Sequence, residues 1–334
     1  MKPLVSVLMP VYNSEDYLEE AIKSILNQSY SNFEFLIIDD ASSDRSLDII
    51  YSFKDDRIKL IKKNLNTGYT VSLNMGLAMC QGKYIARMDS DDISLPLRLE
   101  KQVALMEAFP EIGICGTWVE TIGKITGQIK KYPSTHEKIK TQLFVSSHFV
   151  HPTVMMRKSA LDQYTLIYDP QFEPAEDYAL WVQLGSFVRL ANIAEVLLKY
   201  RVHEKQVSRE FSEKQLIKCN SIRMLQIRRL GIEPTAEEWQ LHIDLILNKK
   251  KIINKLQLHS IIQWLTKLKE CNEKIMYFEK KTFYYLLMEY AFVSYSKLPF
   301  NLSLLIQSAK SPFPILTLSS PKQAVIFLVK SILK

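Results

Sequence analysis

The stretch that decides the fold is residues 84–92, which read Tyr-Ile-Ala-Arg-Met-Asp-Ser-Asp-Asp. It begins as an apolar strand and ends with three carboxylates in four positions. Two carboxylates about 6 Å apart repel by roughly 3 kcal/mol at an effective dielectric constant near 20. Because Asp-x-Asp oxygens suit a hard divalent cation, Mn²⁺ or Mg²⁺, the pattern predicts a metal site at a strand end. The alternative is that Asp91 or Asp92 caps the helix that begins in the following residues.

The composition indicates a folded protein. The chain has 334 residues, of which 47% are hydrophobic and nine are glycine, enough for one large domain or two smaller ones. We expect neither a transmembrane helix nor a secretory signal, because there is no run of 18 apolar residues and the N-terminus leads straight into a strand pattern. The four cysteines are far apart, which argues against a zinc site or disulfide framework and favours the cytoplasm.

The net charge of +7 is unevenly distributed. Residues 1–204 contain 22 Lys and Arg against 26 Asp and Glu, whereas residues 205–334 contain 21 against 10. The basic C-terminal part predicts an anionic partner such as a membrane surface, the alternative being a solvated helical surface. No recognised nucleic-acid-binding motif accompanies the charge, so we do not expect a nucleic acid as partner.

Outward from residues 84–92, apolar strands alternate with helical patterns. The predicted strands are 5–12, 33–38, 58–62, the start of 84–92, 112–118, 149–157 and 196–203, and the predicted helices of this part are 17–26, 46–53, 71–80, 98–109 and 178–185. Continuous apolar strands joined by helices predict an α/β fold, with a mostly parallel sheet covered by helices on both faces.

Polar residues follow the predicted strands at the ends where such sheets bind ligands. They are Asn13, Asp39, Asp40, Asn66 and the carboxylates of residues 89–92. We expect them to share one polar mouth. The chain has neither Gly-x-Gly-x-x-Gly after its first strand nor a P-loop, so phosphates would be held by a metal and scattered side chains.

From about residue 210 the pattern changes to Lys-rich helices. These are predicted at 215–230, 236–248, 259–269 and 275–298. We therefore expect two domains, an α/β domain over residues 1–210 and a basic helical region over residues 211–334. Residues 324–334 are apolar with lysines and fit either a membrane interface or packing on the helices.

Six ordered motifs make residues 3–210 resemble glycosyltransferase family 2, whose members have the GT-A fold. Residues 5–13 match the opening strand, and residues 37–44 resemble the family's Val-Asp-Asp-Gly-Ser segment with Ala41 in place of glycine. The other matches are Asn66-Thr67-Gly68 with Asn74, the 84–92 stretch, Glu176-Asp177, and Tyr200-Arg201-Val202-His203 followed by Gln206 and Ser208.

The resemblance implies an inverting, metal-dependent glycosyltransferase. It would move a hexosyl or N-acetylhexosaminyl group from a nucleotide diphosphate sugar, with UDP favoured, to a glycan or lipid-linked hydroxyl. The expected process is the biosynthesis of surface polysaccharide, capsule or lipopolysaccharide, at the inner face of a membrane. Two alternatives are an inactive nucleotide-sugar-binding scaffold and a nucleotidyltransferase, which would need a glycine-rich basic loop after the first strand.

The resemblance also assigns donor and metal residues. The expected donor contacts are Pro10, Tyr12, Asp39, Asp40, Asn66, Asn74, Arg87, Asp89 and Ser90, with Asp40 at the uracil or ribose. Mn²⁺ or Mg²⁺ is expected on Asp91 with Asp89 nearby, and His203 as a third ligand or diphosphate contact. For Asp39 and Asp40 the alternative is turn capping.

The remaining assignments concern the acceptor. Asp177 is expected to be the general base, with Glu176 as the alternative, because both stand at a helix start that favours ionised carboxylates. The pair could also be only a helix N-terminal acidic pair. His151 and Trp181 are expected on the acceptor side, although Trp181 lies on a helix and also suits the core.

Overall fold

The computed structural model describes residues 3–204, 212–247, 254–298, 308–309 and 311–314. The strands of this part are β1 Val5–Val11, β2 Phe33–Asp39, β3 Ile58–Lys62, β4 Tyr84–Arg87, β5 Ile93–Ser94, β6 Ile112–Gly123, β7 Ile129–Lys130, β8 Met155–Arg157 and β9 Arg189–Val202. The helices are α1 Leu18–Leu26, α2 Ser46–Ser52, α3 Tyr69–Met79, α4 Arg98–Ala108, α5 His136–Gln142, α6 Lys158–Gln163, α7 Glu176–Leu184, α8 Ser212–Arg229, α9 Ala236–Leu247, α10 Lys255–Ile275 and α11 Lys280–Tyr295.

One sheet organises the first 219 residues, with the strand order β3-β2-β1-β4-β8-β6-β9-β5 and β7 paired to β6. Strands β1 to β4 are mutually parallel. Strand β8 is antiparallel to both β4 and β6, β9 is parallel to β6, and β5 is antiparallel to β9. The parallel β3-β2-β1-β4 block places the ends of β1, β2 and β4 at one edge.

Helices cover both faces of the parallel block. Val7 points to one face, where it belongs to the same fully buried cluster as Ile22 of α1. Leu8 points to the other face, where α3 packs so closely that a Cβ atom on Gly76 would lie 2.2 Å from Leu8 Cδ1. Burial of each large aliphatic side chain contributes about 1.5–3 kcal/mol. The predicted α/β class, with a mostly parallel sheet and helices on both faces, is confirmed.

Two strands are longer than predicted and one is shorter. Strands β6 and β9 pair along their whole lengths, Ile112 with Arg189 and Gly123 with Val202. Glu120 and Glu195 interrupt their apolar patterns, so only the pairing reveals their extent. The strand predicted at 149–157 shrinks to β8, because residues 151–153 form a 3₁₀ turn around a proline, which cannot donate to a sheet ladder.

A second compact unit, residues 220–334, contains the rest of α8 and helices α9 to α11. Trp264 Nε1 donates to His242 Nδ1 at 3.3 Å in its interior. Helix α10 starts four residues earlier than predicted, because Asn254 and Gln257 form a capping box. The predicted helical character of the C-terminal region is confirmed.

Some predicted features lie outside the described residues. They are the domain boundary at residue 210, Gln206 and Ser208 of the closing motif, and the apolar segment 324–334. Among the helices that are described, none combines the length and the apolar character needed to span a membrane.

Candidate functional site

A cavity of about 780 Å³ opens beyond the carboxyl ends of β1, β2 and β4. It forms there because parallel strands end at a common edge, which leaves a crevice for ligands. The predicted site residues in its wall are Pro10, Tyr12, Asp40, Asn66, Asp89, Ser90, Asp91, His151, Glu176, Asp177 and His203. The single polar mouth expected from the sequence is therefore present.

Three carboxylates form a cluster just after β4. One oxygen each from Asp89, Asp91 and Asp92 lies within 4.8 Å of the other two. Burial, followed by the charges of Asp91 and Asp89, raises the pKa of Asp92 well above its usual range. Burial also raises the pKa of Asp89. An all-oxygen set of three carboxylates, of which Arg87 neutralises only Asp89, fits a hard divalent cation.

The end of β9 brings His203 to this cluster. Its Nε2 atom lies 2.8 Å from Asp91 Oδ2. The imidazole also packs against the Tyr17 ring, with 5.2 Å between ring centroids. The two residues expected to share a metal are therefore in contact, although 112 positions separate them in the chain.

Asp92 does not cap a helix, so that alternative is wrong. Its Oδ1 atom accepts a hydrogen bond from the backbone N–H of Arg201 at 2.7 Å. Helix α4 begins at Arg98, and no side chain caps it at Leu97. The other oxygen, Oδ2, is buried without a hydrogen-bond partner among the described residues. Asp92 is thus a candidate metal ligand that the sequence analysis passed over, although the run of three carboxylates signalled it.

Of the Asp39-Asp40 pair, Asp40 lines the cavity and Asp39 lies in the core. Asp40 lines the wall and pairs with Lys63 Nζ at 2.5 Å, while the backbone N–H groups of Thr67 and Gly68 donate to its two oxygens. Asp39 is fully buried behind it and accepts from Ser42 N–H at 3.3 Å. Lys63 is a site residue that sequence reasoning missed.

The loop after β1 is held against two neighbouring loops. Asn13 Oδ1 accepts from the Ser43 N–H at 2.9 Å. Ser14 Oγ lies 2.8 Å from Ser90 Oγ, beside the carboxylate cluster. Tyr12, which directly precedes Asn13 and Ser14, keeps 51% of its surface exposed. An exposed aromatic ring on a fixed loop can stack on a flat ligand.

Three expected site residues lie behind the wall. Arg87 is fully buried and donates to Asp89 Oδ1. Asn74 uses both amide atoms on the Tyr168 main chain, at 2.7 and 2.9 Å. Trp181 is fully buried, with its ring 5.9 Å from that of His151. None of these three side chains lines the cavity, and neither does that of Asp39. We therefore assign them support of neighbouring residues in place of the direct ligand contacts expected from the sequence.

Glu176 and Asp177 begin α7 at the cavity. Burial and the neighbouring Asp177 charge raise the pKa of Glu176 to about 8. Burial raises the pKa of Asp177 to about 6, opposed by the Tyr178 N–H, which donates to Asp177 Oδ1 at 2.6 Å. Near neutral pH the pair therefore favours a protonated Glu176 and an ionised Asp177, and only the ionised group can accept a proton.

The cavity wall also contains residues that sequence reasoning did not assign to the site. They are Val119, Lys130, Tyr132, Phe149, Tyr200, Lys214 and Gln215. Lys130 Nζ lies 5.4 Å from the Tyr200 ring centroid. Lys130 and Tyr132 reach the cavity on the segment that returns along β6, where β7 pairs with it.

Known proteins share these segments. The family model "Glycosyl transferase family 2" matches residues 6–165. The O-antigen biosynthesis glycosyltransferase WbnJ of Escherichia coli is 36% identical over 216 residues, 62% of this chain and 82% of WbnJ. The chain belongs to glycosyltransferase family 2.

Two further proteins resemble this family 2 glycosyltransferase. A UDP-Glc:alpha-D-GlcNAc-diphosphoundecaprenol beta-1,3-glucosyltransferase of Escherichia coli, WfaP, is 30% identical over 232 residues, 69% of this chain and 88% of WfaP. The crystal structure of Staphylococcus aureus TarS (residues 1–349) with UDP-GlcNAc superposes with a TM-score of 0.59 at 17% identity, covering 89% of this chain and 91% of TarS. The GT-A fold expected from the sequence is confirmed.

Proposed function

We propose that this family 2 glycosyltransferase is inverting and metal-dependent, and that it transfers a sugar from a nucleotide diphosphate sugar to a glycan or lipid-linked hydroxyl in surface polysaccharide biosynthesis. One observation carries the proposal: the Asp89 and Asp91 carboxylates of the cluster and the Asp177 carboxylate line the same cavity. A leaving diphosphate and an attacking hydroxyl both need a charged group, on opposite sides of the anomeric carbon.

The metal end is formed by residues 89–92. Asp89, Asp91 and Asp92 would hold Mn²⁺ or Mg²⁺, with His203 as a further ligand or as the partner that orients Asp91. When bound, the cation supplies Lewis-acid stabilisation of the negative charge on the departing nucleoside diphosphate. The close approach of the three carboxylates, of which only Asp89 has an arginine partner, supports this assignment.

The nucleoside end is formed by Tyr12, Asp40 and Asn66 in the cavity wall. Tyr12 would stack on the base, and the Asp40 carboxylate would accept from the base or the ribose. A uridine nucleotide is favoured because WfaP is named for UDP-Glc and TarS was crystallised with UDP-GlcNAc. The name of WfaP also includes a diphosphoundecaprenol acceptor, which supports a lipid-linked acceptor here.

At the acceptor end, Asp177 would be the general base. Its carboxylate would take the proton of the acceptor hydroxyl as the oxygen attacks the anomeric carbon and the bond to the diphosphate breaks. Attack from the side opposite the leaving group inverts the anomeric centre. Glu176 is the alternative base, and its higher pKa makes it less able to accept a proton at neutral pH.

The experiment is a transfer assay with UDP-, GDP- and dTDP-sugars, with Mn²⁺ and with EDTA. We expect Mn²⁺-dependent release of nucleoside diphosphate, which Asp91→Asn and Asp177→Asn each reduce by about 10²–10⁴-fold. Asp162→Asn is the matched control, since Asp162 is a surface residue whose side chain, among the described residues, pairs with Lys158 alone. Donor binding without turnover would indicate the scaffold alternative. Formation of a nucleoside triphosphate and a sugar 1-phosphate when inorganic diphosphate is added to the nucleotide sugar would indicate a nucleotidyltransferase.

We also propose that the basic C-terminal region attaches the enzyme to an anionic membrane surface. The support is the basic composition of residues 205–334, which contain 21 Lys and Arg but only 10 Asp and Glu. Sedimentation with phosphatidylglycerol vesicles tests it, with phosphatidylcholine vesicles as the control. A chain ending at residue 314 keeps the buried Phe313, and it should bind less than the full chain if residues 315–334 contribute. Equal sedimentation of the two would rule out that contribution.

A further inference from the structure

A partly buried chain of hydrogen bonds leads from the core to the Asp89 carboxylate. The Tyr168 hydroxyl lies 2.9 Å from His151 Nε2, and His151 Nδ1 lies 3.3 Å from the Tyr69 hydroxyl. The Tyr69 hydroxyl accepts from Arg87 Nη2 and lies 3.4 Å from Asp89 Oδ1. Arg87 Nη2 also donates to Asp89 Oδ1. The chain therefore ends on an oxygen of the proposed metal site.

Only one assignment of donors and acceptors is consistent along this chain of hydrogen bonds. Asp89 as a carboxylate only accepts, so the Tyr69 O–H donates to it and the Tyr69 oxygen accepts from Arg87 and from His151. His151 then carries its proton on Nδ1 and accepts the Tyr168 O–H at Nε2. Among the described residues, the Tyr168 hydroxyl has no second partner, so the reverse direction would leave a buried donor unpaired.

The Tyr168 end of this chain of hydrogen bonds lies in the protein core. Tyr168 is fully buried, and the Asn74 side chain holds its backbone N–H and C=O. His151 packs on the buried Trp181 ring. Burial and the Arg87 charge hold the pKa of His151 well below its usual range, so its ring is neutral as the chain requires. Both ring nitrogens are already used, which leaves neither for an acceptor hydroxyl.

We propose that His151 and Tyr69 are positioning residues for Asp89. They keep Arg87 and the Asp89 carboxylate in one orientation, so that the Asp89 oxygen that Arg87 leaves free is presented to the cation. This inference rests on the proposed function and replaces the acceptor contact expected for His151. It also accounts for Arg87, Asn74 and Trp181, whose side chains lie behind the cavity wall.

Binding of Mn²⁺ in the presence of UDP, followed by electron paramagnetic resonance on the full chain, tests the proposal without any turnover. Loss of a residue that orients a metal ligand costs 10- to 100-fold in metal affinity. We expect Tyr69→Phe to raise the Mn²⁺ dissociation constant by about tenfold. Tyr164→Phe is the matched control, because its ring stacks on Phe187 and no described residue hydrogen bonds to its hydroxyl.

Rescue separates positioning from packing. His151→Leu removes both hydrogen bonds and should weaken Mn²⁺ binding as Tyr69→Phe does. His151→Asn keeps a donor near the Nδ1 position and should recover most of the loss, while thermal melting shows that each variant is folded. Unchanged Mn²⁺ affinity in Tyr69→Phe and His151→Leu, or equal losses in His151→Leu and His151→Asn, would overturn the proposal.

Failure of the positioning role and failure of the proposed metal site give different Mn²⁺-binding results. If the wild type does not bind Mn²⁺ at all, or Asp91→Asn binds it equally well, the metal site itself is wrong. If the wild type binds Mn²⁺, Asp91→Asn does not, and Tyr69→Phe binds as the wild type does, only the positioning role of His151 and Tyr69 is wrong.

Discussion

The Asp92 carboxylate accepts the backbone N–H of Arg201 at 2.7 Å, across 109 positions of the chain. Arg201 returns a hydrogen bond from its Nε to the carbonyl of Asp91, also at 2.7 Å. These two bonds join the segment after β4 to the end of β9, and they bring His203 within reach of Asp91. The metal end of the site therefore depends on a contact between residues 84–92 and the closing motif at residues 200–203.

Asp92→Asn and Asp92→Ala separate the structural role of this carboxylate from its charge. The asparagine retains an oxygen for the Arg201 N–H, whereas alanine leaves that buried donor unpaired at a cost of about 1–3 kcal/mol. We expect urea denaturation to show the loss in Asp92→Ala but not in Asp92→Asn. Equal stability of the two variants would contradict the role assigned to the hydrogen bond.

Mn²⁺ should stabilise the wild-type protein against heat. A ligand that binds only the folded state at 100 times its dissociation constant contributes about 2.7 kcal/mol. The midpoint of thermal unfolding should rise with Mn²⁺ and return with EDTA. Asp91→Asn should show a much smaller rise, and Asp162→Asn the full rise. A Mn²⁺ effect in Asp91→Asn equal to that of the wild type would exclude Asp91 as a ligand.

Glu176 should make the protein less stable as the pH rises. Its pKa is about 8 in the folded protein against an ordinary value of 4.5, so the folded state holds a proton that the unfolded state has lost between these values. This contribution is fully present below about pH 4.5 and is lost as the pH rises towards 8. Glu176→Gln cannot lose the proton. We expect it to be more stable than the wild type at pH 8, by roughly 1–3 kcal/mol, and equal near pH 4.

The transfer rate should have the opposite dependence on pH. Burial raises the pKa of Asp177 to about 6, and a base must be ionised to act. Activity should therefore fall below about pH 6 in the wild type and in Glu176→Gln alike. If Glu176→Gln abolished transfer and Asp177→Asn did not, the base assignment would be reversed.

Lys63→Met should destabilise the protein by about 3–5 kcal/mol, because it leaves Asp40 as a buried carboxylate without its cation. The two side chains are only 8% and 5% exposed. Lys62→Met is the control, since Lys62 is the exposed neighbour on β3. Chemical denaturation measures both. A loss no larger than that of Lys62→Met would show that the pair is not needed for stability.

Ala41→Gly should increase stability. Ala41 has a φ of 60°, in the left-handed region where a Cβ atom costs about 1–2 kcal/mol. Glycine avoids that cost but adds about 0.5–1 kcal/mol of chain entropy loss on folding. The net gain should be about 0.5–1 kcal/mol, seen as a higher denaturation midpoint. Ala175→Gly, at a residue with negative φ, should give no gain.

The sequence alone determined the parallel block and the positions of the motifs at strand ends. Strands β1, β2 and β4 are nearly continuous apolar runs and β3 is a short mixed one. All four are bounded by polar loops, so the pattern located each within about one or two residues. Because parallel strands end at a common edge, Tyr12, Asp40, Asn66 and the Asp89–Asp92 carboxylates had to meet. The family 2 resemblance rested on these same segments, and the comparisons with known proteins confirmed it.

Only the tertiary structure decided which side chains face the cavity and which stand behind it. Arg87, Asn74 and Trp181 lie in motifs or beside them, yet each points into the protein, because strand alternation and helix packing set side-chain direction. Strands β5 and β7, two residues each, exist only through their partners. The role of Asp92 was likewise hidden, since its partner Arg201 is brought to it by the pairing of β9 with β5 and β6. Local patterns in the sequence located the motifs, and long-range pairing determined what each residue touches.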